Sequence, residues 1–278
     1  MDTETVQRRR RTNATSHNAV VTEKRLKRSE VLAKKKADKQ LIREAYAKKD
    51  QLASFPAYRN FQMNGLSVCL KSGHGNKLSS PVKRYIQNLL KLNMEGPYGS
   101  EWQVEEKVKR VEMVDPEACY IFVHEVDNSN ADEMTTVLTA EDTSTSCVED
   151  RSPLVGFVHY RFVLEEEVPV LYVYELQVEP RGQGKGLGKF LMELIELIAQ
   201  KNCMGAVMLT VQKANLSAMN FYTNISYQPH HLLKLIQRWR QVMKFFAKHL
   251  TMKLKLFWRI VGELEKDCLS YWSHFYGF

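Results

Sequence analysis

Four glycines at every second position, Gly182, Gly184, Gly186 and Gly188, follow an apolar strand pattern at Val170–Val178. They precede a helical pattern opening Phe190-Leu-Met-Glu-Leu. Glycine permits backbone angles that other residues resist. The first N–H groups of a helix have no intrahelical partner and lie at the positive end of its dipole. A strand, a glycine loop and a helix in this order make a site for phosphate or pyrophosphate. One residue of the strand also stands out chemically. Glu175 is a carboxylate in an otherwise apolar run, and such a charge is costly unless it has a partner or a purpose. Two readings stand for it: an acid–base group in a cleft, or a solvent-facing position on a two-faced sheet.

Spacing narrows the phosphate. A P-loop needs four residues between its first glycine and Gly-Lys-Ser/Thr. Gln183 occupies that first position ahead of Gly188-Lys189, and Phe190 follows. A Gly-x-Gly-x-x-Gly fingerprint puts its third glycine at Leu187, Lys189 or Leu191, and the next strand ends in Gln212-Lys213 with no acid. What fits is Gln-x-x-Gly-x-Gly, as Gln183-Gly-Lys-Gly186-Leu-Gly188. This resembles the pyrophosphate loop of the GNAT acetyltransferases. Asn215-x-x-Ala218-x-x-Phe221-Tyr222-x-x-x-x-Tyr227 is similar to the next element of that superfamily.

The resemblance implies acetyl-CoA as co-substrate and no metal. It implies that the backbone of Leu176, Gln177 and Val178 pairs with the pantetheine arm. The amides of Gln183, Gly184, Lys185, Gly186, Leu187, Gly188 and Lys189 would receive the pyrophosphate, with Lys189 adding charge. Asn215 would touch the pantetheine while capping its own helix. Tyr222 would protonate the leaving thiolate, unless it only packs its helix, and Glu175 would take the proton from the acceptor amine.

Closer matches resemble the NatD-type N-alpha-acetyltransferases. They are Tyr172-Val-Tyr174-Glu175-Leu-Gln177, Lys185-Gly-Leu-Gly-Lys-Phe-Leu191, Val207-Met-Leu-Thr210-Val, Asn93-Met94, Tyr98-x-x-x-Trp102 and His159-Tyr-Arg-Phe162. The resemblance covers about 53–224. It implies acetylation of the N-terminal amine of histones beginning Ser-Gly-Arg-Gly, with Tyr98, Trp102, Tyr174 and Thr210 lining the peptide site. It also implies residence in nucleus and cytoplasm. Two departures stand out. The family's substrate aspartate falls at Val163, with Glu165-Glu-Glu167 just after, and the chain beyond Tyr227 does not read as the family's two closing strands.

Charge is divided along the chain. Residues 1–49 hold 15 Lys/Arg against 6 acids, and 225–278 hold 9 against 3, within an overall +8. The segment between them has a net charge of −7, which suits a basic substrate such as a histone tail. No nucleic-acid site is evident, and the protein is expected to be a monomer. The runs Arg8–Arg11 and Lys34–Lys36 read either as nuclear-import signals or as a soluble basic arm. Five scattered cysteines without Cys-x-x-Cys spacing indicate neither a disulfide framework nor a zinc site, so reduced thiols are expected. Lysines interrupt every long apolar stretch, against a transmembrane helix.

The expected architecture is α/β: a mixed central sheet flanked by helices, with basic helical extensions at both ends. Residues 1–52 form the basic extension, polar and disordered to Val20 and helical over Thr22–Lys49. Residues 53–227 form the catalytic domain, with helices at Pro81–Met94 and Glu101–Val114 and a mobile polar insertion at 127–152. In 228–278, apolar residues at Leu232, Ile236, Trp239, Met243, Phe246, Leu250, Leu254, Phe257 and Val261 step by three or four, predicting an amphipathic helix in place of closing strands. Such a helix suits an anionic membrane or a partner, or marks an alternative C-terminus. Two rivals to histone acetylation follow: transfer to a lysine side chain or small amine, and an acetyl-CoA-binding protein impaired by the missing strands.

Overall fold

The computed structural model describes residues 3–126, 152–229 and 243–249, giving backbone alone for 3–24, 228–229 and 243–249. The chain divides into two compact units, one including Met1–Arg43 and the other Glu44–Leu264. Helix α1, Thr3–Ala47, runs unbroken through the stretch expected to be disordered. Residues 3–47 hold no proline or glycine, so nothing interrupts the helical hydrogen bonds. Its last turn belongs to the second unit. There Tyr46 donates its hydroxyl to the Phe162 carbonyl and accepts from the Phe162 N–H, both at 3.0 Å.

Among its described residues, the second unit is built on one eight-stranded sheet in the order β1-β2-β3-β4-β5-β6-β8-β7. Its first strands are β1 (Asn60–Met63), β2 (Leu66–His74) and β3 (Cys119–Glu125), followed by β4 (Leu154–Glu165) and β5 (Val168–Val178). They pair antiparallel in sequence. Strand β6 (Ala206–Gln212) lies parallel to β5, since helix α4 (Leu187–Lys201) carries the chain back between them. Helices α2 (Ser80–Tyr98) and α3 (Trp102–Glu112) connect β2 to β3. Ile86, Leu89, Leu90 and Trp102 from these helices form a buried cluster with Tyr120, Phe122 and Phe157 of β3 and β4. Helix α4 buries Leu187, Leu191, Leu194, Ile195 and Ile198, the three-and-four spacing of a core-facing stripe. Helix α5 (Leu216–Asn224) follows β6.

The tail departs from the sequence reading. Met243–His249 is strand β8, antiparallel to β6 from Gln212↔Met243 to Ala206↔His249. Two residues of β7, Gln228 and Pro229, pair in turn with Ala247 and Phe246. The helical stepping of Met243 and Phe246 was misleading because a short apolar run has no unique period. Without β8, β6 would leave one edge of its N–H and C=O groups without ladder partners. The remaining tail positions of the expected helix, and the polar insertion through Arg151, lie outside the described residues. Cys69 and Cys119 are buried free thiols.

Gly156 of β4 tests how closely these strands fit. A Cβ there would stand 2.5 Å from the Gln177 carbonyl oxygen and 3.2 Å from Val178 Cα, both backbone atoms of β5. Gly156→Ala is expected to lower unfolding stability by about 1–3 kcal/mol, measured by urea denaturation. An unchanged midpoint would refute the tight β4–β5 approach.

Candidate functional site

Strand β5 is the spine of the site. Its pairing with β6 covers only Val170↔Ala206 to Val173↔Leu209, although the strands go on to Val178 and Gln212. Past Val173 the two part, and β5 keeps its ladder with β4 alone. A cleft of about 850 Å³ opens where they separate.

A bulge decides what faces that cleft. His159 pairs with Glu175 and Tyr160 with Val173, so Tyr174 is an extra residue on β5. In an unbroken strand, Tyr172 and Glu175 would point to opposite faces. With one residue inserted, Arg161↔Tyr172, His159↔Glu175 and Phe157↔Gln177 all fall on the α2/α3 face. Tyr172, Tyr174, Glu175 and Gln177 therefore line one cleft.

Behind them runs an aromatic stack. Phe122 and Tyr120 lie 5.2 Å apart at 3°, and Tyr120 and His159 4.9 Å apart at 16°. His159 meets Tyr174 at 4.9 Å, and the Arg161 guanidinium caps the Tyr174 ring at 4.5 Å from its centroid. Arg161 is fixed in turn by Asp115 at 3.0 Å and by the Glu112 carbonyl at 2.7 Å. Burial, with Arg161 and Lys109 nearby, pushes the imidazole of His159 down to about 3, so it is neutral in the stack.

Glu175 is 8% exposed and held at both oxygens. Lys109 Nζ stands 2.7 Å from Oε1, and Gln177 Nε2 donates to Oε2 at 2.8 Å. Asn93 of α2 fixes Gln177 by donating to its Oε1 at 2.9 Å. Glu175 is thus a partnered, buried carboxylate on the cleft wall, not the solvent-facing residue of the plainer reading. Burial works against the Lys109 ammonium, yet Glu175, Tyr98 and Glu112 hold it above the usual lysine range. Burial also raises the Tyr98 and Tyr222 phenols, which keeps both protonated.

The loop end of the cleft is backbone. Gly184 and Gly186 have φ of +70° and +86°, left-handed angles that the loop requires and that other residues adopt at a cost. Gly186 begins α4 with no side-chain cap, leaving the first N–H groups of the helix to other acceptors. Gln183 Nε2 closes the loop onto the Val178 carbonyl at 2.9 Å. Gly188 lets the Phe221 ring of α5 approach to 3.2 Å from where its Cβ would be. Asn215 caps α5 by accepting from the Ala218 N–H at 3.0 Å, and it lines the cleft as well.

Most sequence-expected residues come together here. Glu175, Tyr222, Leu176, Gln177, Val178, Gln183, Gly184, Gly186, Gly188, Lys189, Asn215, Tyr98, Tyr174 and Thr210 all line the cleft. Thr210 shares a hydrogen bond with the Tyr172 hydroxyl, a bridge across the parting strands. Leu187 buries its side chain, so only its backbone is available to a ligand. Trp102 is not among the lining residues: it is 3% exposed in the core cluster, with its ring centroid 5.9 Å from that of Tyr98. Sequence reasoning missed Lys109, Glu105 and Glu112, and gave Asn93 a motif match but no role. Glu105, Lys109 and Glu112 share a helix face by their spacing, but nothing in the sequence says that this face meets Glu175.

Among the described residues, no group of three His, Cys, Asp or Glu is placed to hold a metal ion, and no helix is long and apolar enough to cross a membrane. Residues 97–227 match the model of the acetyltransferase (GNAT) family, and the mixed sheet with flanking helices is the GNAT fold. A mycothiol acetyltransferase from Nocardia farcinica (strain IFM 10152) is 30% identical over 79 residues, 28% of this chain and 26% of that protein. The chain thus spans about a quarter of the length of that curated relative. A GNAT-family acetyltransferase from Listeria monocytogenes 4b F2365 is 10% identical, with a TM-score of 0.43 over 68% of this chain and 99% of that one. A spermidine/spermine N-acetyltransferase from Vibrio cholerae is 16% identical, with a TM-score of 0.40 over 68% and 96%. A ribosomal-protein-alanine N-acetyltransferase from Brucella melitensis biovar Abortus 2308 is 14% identical, with a TM-score of 0.40 over 61% and 98%.

The neutral His159 has a measurable consequence. Its folded value, about 3, lies below the ordinary 6.5, so between those pH values the unfolded chain binds more protons than the native one. Its contribution is fully present above pH 6.5 and is lost as pH falls toward 3. His159→Phe, which keeps a ring in the stack, is expected to flatten the fall of stability in that window by up to about 1.4 kcal/mol per pH unit. Urea titrations at stepped pH measure it, and parallel curves for both proteins would refute the assignment.

Proposed function

We propose that the GNAT acetyltransferase domain at residues 97–227 transfers acetyl from acetyl-CoA to the N-terminal amine of histones beginning Ser-Gly-Arg-Gly. The observation that carries the transfer reading is Glu175, buried on the strand that parts from its neighbour and facing the cleft so formed. The residues fit acetyl-CoA. The β5 edge past Val173 suits the pantetheine amides, and the bare start of α4 with its left-handed glycines suits the pyrophosphate.

The coenzyme supplies a thioester carbon. Glu175, directly or through a water, takes a proton from the acceptor ammonium, and the freed amine attacks that carbon. As the C–S bond breaks, the nitrogen loses its second proton to solvent, and Tyr222 gives its phenolic proton to the thiolate and recovers one from solvent. Its buried, protonated hydroxyl on the cleft wall supports that role. Glu105, Glu112 and Glu175 leave this wall net acidic even with Lys109 among them, which suits a cationic acceptor.

The histone acceptor is supported by the Tyr172–Gln177 and Tyr98 motifs, with Tyr98, Tyr174 and Thr210 in the cleft. Strand β8 weighs against a domain impaired by missing closing strands. On this reading the protein works as a monomer in nucleus and cytoplasm, and its basic ends serve import or solubility. A lysine side chain or small amine is the second reading, since the acidic wall suits any cationic amine.

The two are separated with acetyl-CoA and Ser-Gly-Arg-Gly peptides, amine free or blocked, each carrying a lysine. Mass spectrometry is expected to find acetyl on the free N-terminus alone, and equal modification of both peptides would overturn the N-terminal assignment. Glu175→Gln is expected to lower kcat/KM by about 10²–10⁴ while acetyl-CoA still binds; an unimpaired variant would remove Glu175 as base.

A further inference from the structure

Lys109 projects from α3 into the cleft wall, where its side chain is 12% exposed. Its Nζ stands 2.7 Å from Glu175 Oε1 and 3.6 Å from both Glu105 Oε1 and Glu112 Oε2. Glu105 and Glu112 lie one turn before and after it on the same helix face, so three carboxylates share one ammonium. Other groups facing Glu175 add little charge. Tyr98 of α2, Tyr120 of β3, Tyr174 of β5 and Tyr222 of α5 are all raised by burial and stay neutral. His159 of β4 is neutral too, and the Arg161 guanidinium is committed to Asp115 and the Glu112 carbonyl.

We propose that Lys109 is a positioning residue: its ammonium keeps the Glu175 carboxylate ionised and aimed between α3 and β5, so that Glu175 is ready to accept a proton. The inference rests on acetyl transfer with Glu175 as base. Lys109 fixes Oε1 and Gln177 fixes Oε2, while each carboxylate oxygen retains a second lone pair for the incoming proton. Without Lys109, three carboxylates would crowd a buried site with no cation at its centre. Like charges held together out of water drive one of them to bind a proton. Burial already raises the Glu112 carboxyl, but Glu112 is 29% exposed and can turn outward, whereas Glu175, 8% exposed and on the sheet, is the one least able to turn to solvent.

The test uses the full chain with Lys109→Met, Lys109→Gln and Lys109→Arg. The first readout is the pH profile of kcat/KM with acetyl-CoA and the free-amine peptide. The second is the carbon-13 carboxyl resonance of Glu175, identified by its loss in Glu175→Gln. In the Met and Gln variants the acid limb and the resonance midpoint are expected to move alkaline together by about 1–3 pH units, with activity returning at high pH. Lys109→Arg should leave both in place. Unmoved midpoints in both neutral variants would overturn the proposal, as would an arginine variant that behaves like them. If neither neutral variant folds by circular dichroism, Lys109 is a stability element and the proposal falls. No transfer by the unaltered protein would defeat the acetyl-transfer reading instead, and the resonance would still report whether Lys109 holds Glu175 ionised.

Discussion

The separation of β5 from β6 is the constraint on which the site depends. Four residue pairs join them and then the ladder stops, although both strands continue. A parallel sheet interior normally satisfies every backbone group from both sides. Here one edge of β5 beyond Val173 is left to side chains, such as Asn93 and Gln183 on the Val178 carbonyl, and to whatever enters. The parting is held at its base by the Tyr172–Thr210 hydrogen bond. On the outer flank, β8 pairs β6 along its whole length, so β6 does not need β5 throughout to remain a strand.

Rigidity behind the cleft comes from packing instead of from more ladder. Three strands contribute one ring each to the run Tyr120, His159 and Tyr174, and Arg161 closes it. Stacked aromatics and a capped cation give cross-strand pairs a defined geometry. A neutral imidazole in the middle avoids a buried charge beside Arg161. The stack fixes the Tyr174 end of the cleft wall, and the Asn93–Gln177–Glu175 chain fixes the Glu175 carboxylate.

Much of this was legible in the sequence because local rules agree with the global result. The glycine spacing, the apolar β5 pattern and the α4 stripe each point to one structure, and Gln183, Gly186 and Asn215 stand where their motif puts them. Three things were not legible. Strict alternation predicts opposite faces for Tyr172 and Glu175, and only the bulge, a property of pairing with β4, reverses it. The pairing of Lys109 with Glu175 is long-range, and an amphipathic helix full of Lys and Glu looks the same whether its polar side meets water or a cleft. Met243–His249 reads as helix or strand by period, and the open edge of β6 decides it.

The bulge at Tyr174 also divides β5 into two halves that can change separately. On the proposed reading, Tyr172 before the bulge and Tyr174 at it serve the acceptor side, and Glu175 to Val178 after it serve the base and the coenzyme. Because the register is reset at a single unpaired residue, a substitution in the lower half need not disturb the ladder that fixes the upper half. On that reading, a change at Tyr172 or Tyr174 would alter the acceptor wall and leave the donor half of β5 in register.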